Sequence, residues 1–182
     1  MHVSLDGYVA GPKGEMDWIE LGDDMWDVVN EITATADTAI FGGVTFGMME
    51  SYWPTAADKP DASQHDKDHS KWVNAAAKIV FSKTRQKSDW AGTTILHDIV
   101  PADIQKMKDQ PGKNLLMLGS PSIAQQFMDS DLIDEFWLNV NPVVLGEGKA
   151  LFANIHHKTN LKLIGLKKFE SGVVGLHYEI VR

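Results

Sequence analysis

The sequence predicts an α/β fold: three layers, αβα, around a mostly parallel twisted sheet with an antiparallel C-terminal hairpin. Three observations carry this expectation. Short apolar runs alternate with helix-patterned segments between residues 38 and 128, the order that builds parallel sheets. Three of those runs stop at glycines or at hydroxyl-bearing and cationic residues. Two further apolar runs, Leu161–Phe169 and Val173–Val181, flank Gly172 and read as an antiparallel hairpin.

The elements follow in order. Val3–Leu5 reads as the end of a first strand, and Asp6–Glu20 as a loop bearing glycine and proline. Asp24–Ala36 reads as a helix, with Met25, Val28, Val29 and Ile32 at helical spacing and Asp23 or Asp24 as its cap. Thr38–Phe41 is a short strand broken by Gly42-Gly43, and Thr45–Ser51 begins a helix. Trp53–Asp68 is polar, contains two prolines and reads as a loop. Lys71–Ala77 is helical, Lys78–Ser82 and Thr93–Leu96 are strands, and Pro101–Gln110 is a helix with proline in its first turn. Leu115–Leu118 is a strand ending in Gly119-Ser120, Ser122–Met128 a helix and Glu135–Leu145 a strand. No linker is long enough to divide the chain, so residues 1–182 are expected to form a single enzyme-sized domain.

Composition narrows the function classes. Apolar residues make up 43% of 182, enough for a sizeable core. No apolar run approaches the ~20 residues that span a membrane. The net charge of −8 argues against general nucleic-acid binding, and the absence of cysteine removes disulfide and thiolate chemistry. A cytoplasmic location is the default expectation.

Three strand ends carry phosphate-friendly chemistry: Gly42-Gly43-Val44-Thr45, Ser82-Lys83-Thr84-Arg85, and Gly119-Ser120-Pro121-Ser122. In open α/β sheets ligands bind beyond the carboxyl ends of the strands, where helix N-termini present free N–H groups. Glycine there lets a ligand approach the backbone. His65 and His69 are four apart, but Asp66, Lys67 and Asp68 flank them and no HExxH frame exists, so a solvated loop is expected and no metal site.

Several motifs occur together in a characteristic order. They are Ser4-Leu5-Asp6-Gly7-Tyr8-Val9-Ala10, Met16-Asp17-Trp18, Ile40-Phe41-Gly42-Gly43-Val44-Thr45, Gly119-Ser120, Ile133-Asp134-Glu135-Phe136 and Pro142 followed by Gly146-Glu147-Gly148. In this the chain resembles the dihydrofolate-reductase-like superfamily, closest to the C-terminal reductase domain of the bifunctional riboflavin-biosynthesis deaminase/reductase. The family often carries arginine where Gly43 stands. No deaminase zinc motif is present, so the resemblance covers the reductase half.

The resemblance implies NADPH as cofactor and a small pyrimidine- or pterin-like heteroaromatic substrate. Gly42, Gly43 and Thr45 would hold the pyrophosphate, with Gly119, Ser120 and Ser122 on its other side. Ser82, Lys83, Thr84 and Arg85 would hold the adenosine 2′-phosphate, and two cations there favour NADPH over NADH. Asp6 and Asp23 are candidate catalytic acids. The competing readings are that Asp6 caps its turn and Asp23 its helix. Trp18, Met49 and Trp53 are candidates for lining the substrate pocket, although Met and Trp at helical spacing more often belong to a core. A dihydrofolate reductase, or a non-catalytic binding module on the same fold, are the alternatives. The resemblance implies a homodimer, and the apolar tail strands, with an edge to cover, independently suggest one.

Overall fold

The computed structural model describes residues 1–182. In chain order the elements are β1 (His2–Ser4), β2 (Tyr8–Ala10), α1 (Asp23–Ala34), β3 (Ala36–Gly42), α2 (Gly43–Tyr52), α3 (Gln64–Ala75), β4 (Ala77–Phe81) and β5 (Thr93–Leu96). They continue as α4 (Pro101–Lys108), β6 (Asn114–Gly119), α5 (Pro121–Asp129), β7 (Glu135–Asn141), β8 (Lys149–Ala150), β9 (Asn160–Lys168) and β10 (Val174–Val181). A 3-10 turn lies at Ala56–Asp58. No helix is long and apolar enough to cross a membrane. The chain forms two compact units, Trp26–Ile123 and Met1–Met25 with Ala124–Arg182.

In the unit Trp26–Ile123, four parallel strands run in the order β5-β4-β3-β6. The register pairs Gly42 with Phe81, Phe81 with Leu96, and Phe41 with Gly119, so all four carboxyl ends finish level. From β3 the chain moves outward through β4 to β5, then crosses back to place β6 on the far side of β3. The strand order therefore reverses between β3 and β6. Ala39, Phe41, Phe46, Val73, Val80 and Trp90 form the buried cluster of this unit. Lys78 is fully buried, and its ammonium donates to the carbonyls of Val73 at 2.7 Å and Ala76 at 2.8 Å. It closes the C-terminal turn of α3 and ties it to β4.

In the other unit, β1 pairs in parallel with β7, and β7, β10 and β9 continue antiparallel in the order β1-β7-β10-β9. The predicted class is found: a mostly parallel α/β protein with an antiparallel C-terminal hairpin. The strands, however, are divided among three sheets, because β9 and β10 extend β7 and not the four-stranded parallel sheet. The third sheet pairs β2, inside the Asp6–Glu20 segment read as a loop, with β8, in a stretch where the sequence suggested no element. Strands of three and two residues are too short to show a period.

The helix α3 also begins earlier than its apolar pattern suggested. Ser63 Oγ accepts the N–H of Asp66 at 3.0 Å, and the Asp66 carboxylate accepts the N–H of Ser63 at 3.0 Å. This reciprocal cap draws residues 64–68 out of the predicted loop and into helix. Conversely β7 stops at Asn141, because Pro142 has no N–H to continue the ladder.

Candidate cofactor site

All ten residues expected to hold the cofactor lie in the unit Trp26–Ile123. The glycine turns after β3 and β6 sit on either side of the point where the strand order reverses, the usual ligand crevice of open α/β sheets. Gly42 is the N-cap of α2 and has extended backbone, and no side chain caps that helix. The first N–H groups of α2 are thus left without a side-chain acceptor, as an anion site requires.

The packing at this point leaves little room for a Cβ. One at Gly42 would overlap Ser120 Oγ and lie 3.2 Å from Ile123 Cγ1. At Gly43 it would stand 2.8 Å from Ser82 Oγ. Gly119 has φ +131°, a conformation that L side chains rarely adopt, and its Cβ would lie 3.2 Å from Thr45 Oγ1. The Gly119-Ser120 peptide is cis. Thr45, Ser82 and Ser120 therefore bring three hydroxyls around the two glycine turns. Ser120 and Ser122 share a hydrogen bond of 3.0 Å between their hydroxyls. Hydroxyls, unclaimed helix N–H groups and close backbone approach form a donor set that fits a pyrophosphate.

After β4, Ser82 Oγ accepts the N–H of Arg85 at 3.1 Å, which folds Ser82–Arg85 into a turn. Gly43, Val44, Phe81, Ser82, Thr84 and Arg85 line a shallow groove of about 340 Å³. Both cations of the turn are already paired. Lys83 Nζ donates to Asp98, and Arg85 Nη1 donates to Glu50 Oε2 at 2.7 Å. Ser88 Oγ donates to the other oxygen of Glu50 at 2.5 Å. Glu50 and Asp98 were not singled out from the sequence. Nothing in their spacing marks them, since the pairs span 35 and 15 residues. Only the strand register shows that Lys83 and Asp98, each two residues beyond the paired Phe81 and Leu96, must face one another.

The candidates for the substrate side are distributed differently. Met49 and Trp53 pack, partly buried, against the Phe41–Phe46–Val80 cluster. The Trp53 ring lies 4.3 Å from that of His69, and its carbonyl accepts the hydroxyl of Ser70 at 3.0 Å. Their contacts are those of core residues, the competing reading that the sequence allowed. His65 and His69 are helical on α3. His65 stacks on Trp26 with ring centroids 3.2 Å apart, and His69 is buried with neither ring nitrogen hydrogen-bonded.

Asp6, Trp18 and Asp23 belong to the other unit. Asp6 accepts from Ser4 Oγ at 2.6 Å, Gly146 N at 2.8 Å and Leu145 N at 3.1 Å. The Ser4 hydrogen bond, supported by those of Gly146 and Leu145, lowers the Asp6 carboxyl to about 2. Such a group stays ionised at neutral pH and clamps two loops together, and has no proton to deliver. Trp18 is half-buried and its indole donates to the Glu15 carbonyl at 3.1 Å. Asp23 is exposed at the first position of α1, where a carboxylate favours the helix dipole.

Comparison with known proteins agrees with this geometry. Residues 1–175 match the family described as the RibD C-terminal domain. Among curated relatives, the Bacillus subtilis (strain 168) proteins YyaP and YwjB, both uncharacterized, are 36% and 30% identical. Those matches cover 97% of this chain in each case, and 90% and 92% of the relatives. Among solved structures, a putative riboflavin biosynthesis protein from Shewanella sp. PV-4 superposes with TM-score 0.71 at 20% identity. That match covers 100% of this chain and 97% of the other. The bifunctional deaminase/reductase of Thermotoga maritima superposes with TM-score 0.64 at 14% identity, over 99% of this chain and 55% of its own. These likenesses show a shared dihydrofolate-reductase-like fold, and the match over residues 1–175 shows that the chain belongs to the RibD C-terminal domain family.

Proposed function

We propose that this chain is an NADPH-dependent reductase acting on a small pyrimidine- or pterin-like substrate, similar to 5-amino-6-(5-phosphoribosylamino)uracil reductase. The observation that carries the reading is the meeting of two glycine turns, Gly42-Gly43 and Gly119-Ser120, where the parallel strand order reverses. The family supports it, as does the likeness to a pyrimidine reductase-like protein from Corynebacterium diphtheriae, at TM-score 0.67 and 15% identity.

In this reading NADPH supplies hydride. Thr45, Ser82 and Ser120 bind its phosphates together with the first N–H groups of α2. Lys83 and Arg85 face the 2′-phosphate. Asp6 holds the loop after β1 to Leu145 and Gly146. With Asp6 ionised, the proton for the reduced centre comes from water. The test is NADPH fluorescence on binding, followed by absorbance at the nicotinamide band with pyrimidine and pterin substrates. Turnover supports the reductase, whereas tight binding without turnover on any of them favours a non-catalytic binding module. Changing Lys83 and Arg85 together to Ala should weaken NADPH by ~1–3 kcal/mol and barely touch NADH. Equal losses for both nucleotides would exclude a 2′-phosphate at this turn.

We also propose that the protein is a homodimer through β9. This edge strand pairs only with β10, and Leu161, Leu163, Ile164 and Leu166 are all exposed, Leu166 to 65%. A β-bulge leaves Ile164 without a partner, so Leu161, Leu163 and Leu166, opposite Ile180, Tyr178 and Leu176, share one face of the sheet. A strand with one open edge and an apolar face is a template for association, and Lys162, Lys167 and Lys168 blunt it only toward the ends. Light scattering at micromolar concentration should give twice 20.2 kDa, and Leu166→Glu should shift the mass toward 20.2 kDa. A parent protein at 20.2 kDa would refute the dimer.

A further inference from the structure

The two cations assigned to a 2′-phosphate differ in how firmly they are held. Arg85 and Glu50 are only 27% and 26% exposed, both oxygens of Glu50 accept hydrogen bonds, and the guanidinium lies 5.0 Å from the Phe46 ring centroid. Packing on both sides fixes Arg85 as a wall of the groove. It also lines the neighbouring cleft of about 490 Å³, with Glu50, Ser88 and Trp90. Lys83 and Asp98 are 72% and 70% exposed, and nothing but each other holds them. Lys83 is therefore the cation free to turn to a ligand, and Asp98 is the group it must leave.

We infer that Asp98 is a specificity-determining residue that lowers this protein's preference for NADPH over NADH. The inference rests on the dinucleotide reading above. A carboxylate at the end of β5, paired with Lys83 at the end of β4, opposes a 2′-phosphate twice. It competes for the ammonium, and it places a like charge beside the incoming dianion. A 2′-hydroxyl suffers neither effect. The strand register brings the two groups side by side, because β4 and β5 run in parallel and level, with Phe81 opposite Leu96, and Lys83 and Asp98 each follow two residues later. Ser82 strengthens the coupling between the two strand ends: its N–H donates to the Leu96 carbonyl at 3.0 Å, and its own carbonyl lies 2.7 Å from His97 Nδ1. Residue 43 is glycine, so no side chain there offsets Asp98.

The test compares dissociation constants of NADPH and NADH, by fluorescence at low salt, for the parent, Asp98→Asn and Asp103→Asn. Asn at 98 keeps the size and removes the charge. Asp103 pairs with Lys106 on the exposed face of α4, so its variant reports any effect of net charge alone. Asp98→Asn should tighten NADPH by about three- to fivefold while leaving NADH unchanged, and the gain should shrink at high salt. Asp103→Asn should move neither. An unchanged NADPH/NADH ratio in Asp98→Asn, or an equal gain for both nucleotides, overturns the inference while leaving the dinucleotide site standing. Failure of the parent protein to bind either nucleotide overturns the dinucleotide reading and the inference together.

Discussion

Gly119→Val is expected to cost about 2–4 kcal/mol of folding stability and to remove dinucleotide binding as well. The sequence alone offers only a ligand-approach role for this glycine. The structure changes that expectation. Residue 119 has φ +131°, which a β-branched residue adopts only under strain. A Cβ there would also meet Thr45 Oγ1 at 3.2 Å and Thr45 Cγ2 at 3.3 Å, before any larger side chain is placed. Relief requires movement of the turn between β6 and α5, or of the first turn of α2, and both belong to the proposed phosphate cradle. Urea unfolding should show a lower midpoint at constant m-value, and NADPH fluorescence should show no binding. A variant with the midpoint of the parent would contradict the backbone conformation at 119. One that also binds NADPH would place the nucleotide elsewhere.

Acidification from pH 7.5 to 5 should remove about 2 kcal/mol of stability through His69, rising to about 3 kcal/mol by pH 4. Burial, reinforced by the charge of His65, lowers the His69 imidazole to about 4. The ring sits among Trp53, Trp72 and His65, and neither of its nitrogens has a partner. Folded protein therefore refuses a proton that the unfolded chain accepts near 6.5. The stabilising contribution is complete above that value. It falls as pH drops from about 6.5 toward 4, and levels off below. His65 is lowered in the same direction by burial, against the opposing pull of Asp66 and Asp68. His2, half-buried in the other unit, is likewise lowered to about 4 by desolvation and the N-terminal charge, and adds to the same window. The paired carboxylates act elsewhere: Asp6 and Asp66 are shifted down from 3.8, so their contributions are lost only in stronger acid. His69→Phe keeps a ring among the indoles and removes two unpartnered buried nitrogens. It should raise stability at neutral pH and flatten the profile between pH 7.5 and 5. A slope as steep as that of the parent would assign the acid sensitivity to His65 and His2.

The fold class and the two glycine turns at strand ends are largely legible in the sequence. Apolar runs ending in Gly42-Gly43 and Gly119-Ser120, each followed by a helix pattern, encode strand, turn and helix within about a dozen residues. The β9–β10 hairpin around Gly172, at φ +88°, is encoded just as locally. Local periodicity and turn chemistry are short-range properties, so the order of elements and the crevice at their strand ends follow from them.

What the side chains at that crevice do was decided by tertiary structure alone. Ser63 and Asp66 turned a polar loop into the first turn of α3 through hydrogen bonds that composition does not display. Trp53 and Met49 carry the same chemistry whether they face a ligand or a core, and packing against Phe41, Phe46 and Val80 selected the core. Asp6 reads as an acid in sequence, yet the N–H groups of Leu145 and Gly146, nearly 140 residues away, help hold it ionised. Lys83 and Arg85 read as two equal cations, and became unequal because Asp98 meets one in solvent while Glu50 grips the other against Phe46. The division has one physical cause. Secondary structure answers to neighbours in the chain, whereas charge state, burial and pairing answer to neighbours in space, and those are set only when the strands take their register.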